Sequence, residues 1–189
     1  MSGKLRIGPD ARLAPSPTVL VLVDVINPMR FPAAGRLLPH ALKAAHAIAR
    51  LKARLERAGC TAVYANDNYG RWRSNFQELL KGCQQLPGAR GAIATLLAPR
   101  PQDLTLLKPL HSAFHSTPLE HLLRQMKTQR LVVVGFATDM CVQLTAMDAY
   151  MRGFEVWVPR NCTAAEASER KDCALAQMAR VFKCSVRAA

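Results

Sequence analysis

The chain has 189 residues, half of them hydrophobic and 21% charged, which suits one domain of ordinary size with a substantial core. No stretch approaches the roughly 20 uninterrupted apolar residues that cross a bilayer, and the opening MSGKLRIGPDARLAPSP has neither the apolar centre nor the cleavage site of a secretory signal. The net charge of +13 raises nucleic-acid or anionic-surface binding, but neither an aromatic-rich RNA motif nor a helix-turn-helix pattern accompanies it. The densest basic run, Lys43, Arg50, Lys52, Arg54 and Arg57, reads as the solvated face of a helix. Six cysteines without a CxxC pair or regular framework read as reduced thiols, and the expectation is a cytoplasmic protein without specific nucleic-acid or membrane partners.

Residues 1–17 read as a flexible lead-in and 18–189 as the domain. The first element, TVLVLVDV (18–25), is continuously apolar, as in a strand buried on both faces. A helix over 39–58 follows, opened by Pro39 and closed by Gly59. A strand at 61–66 leads into the polar stretch DNYGRWRSNF, and 77–103 holds short helical pieces broken by Pro87, Gly88, Pro99 and Pro101. Then come a strand at 104–108, a short helix from Thr117 and Pro118 to about 127, a strand at 130–136 and a helix at 139–152 stopped by Gly153. A strand at 155–159, a helix at 167–182 and an edge strand at Ser185–Arg187 complete the chain. Short β-branched strands alternating with helices predict a parallel α/β sheet with helices on both faces.

Ligands of such sheets bind beyond the carboxyl ends of the strands. Asp24 closes the first strand, Lys108 the third, and Cys141 follows the fourth in the first turn of a helix. A thiolate at a helix N-terminus is favoured by the dipole and the unpaired amides, and a lysine nearby acts in the same direction. Asp24 can then accept the thiol proton and return it to a leaving group. The turn GFATDMC can offer amides to an oxyanion, each worth on the order of 3 kcal/mol. Each residue alone has a bland reading, as a solvated strand-end charge or a small buried apolar side chain.

Four blocks, VLVDVIN (21–27), NDNYGRWRSNF (66–76), KPLHSAFHSTPL (108–119) and GFATDMCVQLTAMDAYMRG (135–153), resemble the isochorismatase-like cysteine hydrolases, among them nicotinamidases and N-carbamoylsarcosine amidohydrolase. The resemblance runs from about 18 to 182 and is most specific in the last block. It implies a three-layer, doubly wound parallel sheet of strand order 3-2-1-4-5-6 and a catalytic triad of Asp24, Lys108 and Cys141. It also implies a cis peptide before Ala137, with the amides of Ala137 and Cys141 forming the oxyanion hole, and assembly into homo-oligomers. A cysteine at 141 favours cleavage of a C–N bond in a small amide or ureido substrate over vinyl ether hydrolysis. An isochorismatase-like enzyme of that other chemistry and a non-catalytic binding module of the same fold are the alternatives.

Departures from the family pattern carry information. Metal-dependent nicotinamidases have an Asp-x-His element after the second strand, where this chain reads Asp67-Asn68-Tyr69, so no metal and no other cofactor is expected. His111 and His115, four apart beside Lys108, read as surface or packing residues rather than a zinc site. Pro28-Met29 stands where many relatives place Asp-Phe, and Asn161 where Asp is frequent. Asn27, Asn68 and Trp72, on loops expected to face the pocket, are candidate substrate-binding residues: the amides for a carboxamide, the indole for stacking on a planar ligand.

Overall fold

The computed structural model describes residues 13–73 and 75–189, so most of the expected lead-in (1–12) lies outside the described residues. Its last residues are not frayed. Ser16 is buried and fastened three ways: its amide donates to the Met126 carbonyl (2.8 Å), its hydroxyl accepts from the Thr61 amide (3.0 Å), and its carbonyl accepts from the Thr128 hydroxyl (2.9 Å).

The strands are β1 (Thr18–Val23), β2 (Thr61–Asp67), β3 (Leu104–Lys108), β4 (Arg130–Phe136), β5 (Glu155–Trp157) and β6 (Thr163–Ala164). They form one parallel sheet of order β3-β2-β1-β4-β5. The short β6 continues along the β4 edge beyond β5. The expected edge segment at Ser185 is a single bridge to Trp157, closed by the Ser185 amide on the Val156 carbonyl and the Val158 amide on the Ser185 carbonyl.

Alternation along β1 divides the core in two. Leu20 and Leu22 face a cluster built with α1 (Ala34–Arg57), α2 (Phe76–Gln84) and α3 (Ala89–Leu96). Val19, Val21 and Val23 face a second cluster with α4 (Leu119–Gln125), α5 (Gln143–Met151) and α6 (Ser168–Val181). Both faces are therefore covered, which explains why β1 is apolar throughout rather than at alternate positions.

Several boundaries differ from the sequence expectation. Helix α1 begins at Ala34, with Pro39 inside it. A proline there forfeits one amide hydrogen bond, and burial of Ala34 and Leu37 on the sheet offsets the loss. Strand β1 ends at Val23, because Asp24 takes a left-handed φ of 52°. The helix expected from 139 begins instead as a π-helical turn, Thr138–Val142, closed by the Val142 amide on the Ala137 carbonyl (3.2 Å), before α5 takes over. Such single wide turns are frequent at functional sites.

Candidate active site

Three strand ends and one wide turn bring the chemistry together. β1, β2 and β3 run parallel in register, so the residues after Val23 and at Asp67 and Lys108 emerge on one edge. Asp24 Oδ2 lies 2.8 Å from Lys108 Nζ, and Asp24 Oδ1 accepts the Asp67 amide at 2.7 Å. Lys108 Nζ also donates to the Leu110 carbonyl (3.2 Å) and reaches Cys141 Sγ at 3.8 Å. The three protons of the ammonium thus have three partners, which is what a charge at 0% exposure requires. Asp24 is 3% and Cys141 8% exposed.

Burial sets the protonation states. It raises the Asp24 carboxyl above its usual value, against the opposing pull of Lys108 and the hydrogen bonds from Lys108, Cys141 and Asp67. It also raises the Cys141 thiol, with the Asp24 charge in the same direction and Lys108 opposing. Loss of water around the sulfur and the Asp24 charge beside it thus both push the Cys141 thiol toward its neutral form, opposite in sign to the effect expected of the helix N-terminus.

Ala137 opens the π turn in extended conformation, and the Phe136–Ala137 peptide is cis. Ala137 and Cys141 thus lie on one turn. Gly135 precedes them with φ 123°, against the β1 backbone: a Cβ there would sit 2.0 Å from the Val23 carbonyl oxygen.

Beside the triad lies a cleft of about 390 Å³, with Pro28, Arg30, Asp67, Asn68, Tyr69 and Cys83 in its wall. Of the three expected substrate contacts, Asn68 lines this cleft, but its Oδ1 already accepts from the Gly70 amide (2.8 Å). Asn27 Oδ1 accepts from the Met29 amide (2.7 Å), so that side chain shapes its own turn. Trp72 is 80% exposed and stands in solvent rather than in the cleft wall. Polar and aromatic residue types marked the right loops, but turn formation and exposure had prior claim on the side chains.

Two residues outside the expected set come close. Tyr69 lines the cleft, 42% exposed, with a phenol hydroxyl able to donate a hydrogen bond. His111 Nδ1 lies 3.5 Å from Cys141 Sγ, although the sequence suggested only a surface or packing role. The available signal was its position three residues after Lys108, on the segment leaving the end of β3. As for metal, Asp67 Oδ1 accepts the Tyr69 amide (2.6 Å), and among the described residues no three His, Cys, Asp or Glu gather as ligands.

The family model described as Isochorismatase domain matches residues 18–187. The chain is 32% identical over 163 residues to an uncharacterized isochorismatase family protein, YaaI, of Bacillus subtilis, covering 86% of this chain and 89% of that one. A shorter match, 41% identical over 63 residues, covers 33% of this chain and 25% of the ureidoacrylate amidohydrolase RutB of Methylorubrum extorquens. The crystal structure of N-carbamoylsarcosine amidase from Thermoplasma acidophilum superimposes with a TM-score of 0.69 at 25% identity, over 90% of this chain and 95% of that one. With the sheet order and the sequence match in agreement over nine-tenths of its length, the chain belongs to the isochorismatase family of hydrolases.

Proposed function

We propose that the protein cleaves a C–N bond of a small amide or ureido compound through a covalent intermediate on Cys141. The observation that carries this reading is the contact of one buried thiol with a buried carboxylate–ammonium pair: Cys141 to Lys108 at 3.8 Å, and Lys108 to Asp24 at 2.8 Å. Relatives named as a ureidoacrylate amidohydrolase and an N-carbamoylsarcosine amidase support the substrate class.

The chemistry follows from the protonation states. As Cys141 Sγ attacks the carbonyl carbon, its proton passes to Asp24, whose raised basicity suits it to receive one. Lys108 holds the carboxylate in place and offsets the negative charge that develops at sulfur. The amides of Ala137 and Cys141 are assigned to the oxyanion of the tetrahedral intermediate. Collapse breaks the C–N bond as Asp24 returns its proton to the departing nitrogen, leaving an acyl or carbamoyl group on Cys141. Water then releases it. No step is routed through a metal. Tyr69 is the cleft's candidate donor to substrate, in place of Asn27 and Trp72, and the working unit is proposed to be a homo-oligomer.

The test is a panel of small amides and ureido compounds assayed for ammonia release, with the best substrate carried into Cys141→Ala and Asp24→Asn. Turnover is expected to fall by a factor of about 10³ or more in each. Near-normal rates in either variant would refute the mechanism.

A further inference from the structure

Cys141 Sγ is approached from two sides. Asp24 and Lys108 reach it from the buried strand ends, at 3% and 0% exposure, while His111 reaches it from the exposed side with Nδ1 at 3.5 Å. The histidine is not on a free loop. Its segment is fixed before it by the Lys108 ammonium on the Leu110 carbonyl (3.2 Å). It is fixed after it by the Ser112 hydroxyl on Asp148 (2.5 Å) and the Ala113 amide on the Thr145 hydroxyl (3.0 Å). Both of the latter partners lie on α5, the helix that continues from the turn carrying Cys141. The ring and the sulfur are therefore held against each other by the same two elements.

Resting on the reading of Cys141 as nucleophile, we infer that His111 is a further catalytic residue, the general base for the water that hydrolyses the Cys141 intermediate. That water enters from solvent, on the side where His111 stands and the enclosed Asp24 does not. In the step, the water oxygen forms a bond to the acyl carbon while one of its protons passes to Nδ1. The tetrahedral intermediate then collapses, the C–S bond breaks with its electron pair going to sulfur, and Nδ1 returns the proton across the 3.5 Å contact to Sγ. The products are a free acid, a neutral imidazole and a restored thiol, with no other reactant needed. Asp24 thus serves the leaving amine and His111 the incoming water.

The test uses 4-nitrophenyl acetate, an activated acyl donor whose nitrophenolate burst reports acylation and whose S-acetyl adduct is followed by intact mass. Wild type is compared with His111→Gln and His111→Ala, whose exposed position leaves the fold undisturbed. The expected result is an unchanged burst rate, decay of the Cys141 adduct slowed by about 10-fold or more, and restoration of decay in His111→Ala by added imidazole. Equal decay in all three proteins, or burst and decay slowed alike without imidazole rescue, would overturn the role of His111. Absence of an adduct on Cys141 in all three would instead overturn the covalent reading beneath it.

Discussion

At the scale of single residues, the reactive pair is governed by loss of water more than by local backbone electrostatics. Burial is the largest influence on both Asp24 and Cys141, and it favours the neutral form of each. Lys108 opposes burial at both groups, from 2.8 Å at the carboxyl and from 3.8 Å at the sulfur. The sign of the pH effect follows. Proposed catalysis needs the Asp24 carboxylate, its pKa is raised, and kcat/KM should therefore climb with pH along an acid limb lying above the ordinary carboxyl value of 3.8. A pH–rate profile measures this directly. A limb at or below that value would mean that Asp24 is not the base.

At the scale of elements, the site depends on how closely β4 approaches β1. Gly135 pairs with Val23 and holds φ at 123°, a conformation that L side chains rarely adopt. Gly135→Ala would place a methyl 2.0 Å from the Val23 carbonyl oxygen, immediately before the Ala137 turn and Asp24. The expected cost is on the order of 3 kcal/mol or more, read as a lowered midpoint in urea with loss of turnover. A second element-level feature is the ion cluster under α1. Lys52, with its side chain 8% exposed, contacts Asp103 at 2.8 Å and also pairs with Glu56. Lys52→Met would leave Asp103, at 2% side-chain exposure, without its closest cation, at a cost of about 3–5 kcal/mol measurable by the same unfolding curve. Lys52 thus leaves the solvated basic face to which periodicity assigned it. The sequence spacing of Lys43, Arg50, Lys52, Arg54 and Arg57 could not separate it, because its acidic partner Asp103 lies 51 positions away, at the approach to β3.

At the scale of the whole molecule, acids are taken up in local pairs, Arg130 with Glu155, Arg152 with Glu120 and Asp148, Arg170 with Asp139 and Glu166, and the +13 is the excess of basic residues left over. The remaining concentration lies around a cleft between α1 and α6, where Lys43, Arg50, Arg160 and Lys171 face one acid, Asp172. Association with a short duplex or single strand is expected to be weak and to vanish near physiological salt, since a few phosphate contacts supply little affinity and what they supply is screened. Filter binding across salt concentrations checks this; submicromolar, sequence-dependent binding at physiological salt would make nucleic acid a true partner. Among the described residues no helix is long and apolar enough to cross a membrane.

The sequence by itself determined the sheet, its five-strand order through the resemblance, and the strand-end positions of Asp24, Lys108 and Cys141. Those features are written in local hydrophobic runs and in motifs a few residues long, and parallel pairing brings the strand ends to one edge. Tertiary structure alone decided how far the reactive groups are withdrawn from water. Desolvation at Cys141 depends on what packs around the sulfur, and no window of sequence contains that. It also separated the polar loop residues. Asn27 and Asn68 are engaged in their own turns and Trp72 stands in solvent, whereas Tyr69 stands in the cleft wall and His111, which the sequence assigned to the surface or to packing, meets Cys141. Residue type and spacing specify which elements form. Which side chain meets the sulfur depends on how three strand ends and one π turn converge, and that convergence is set by packing of the two core clusters across the sheet.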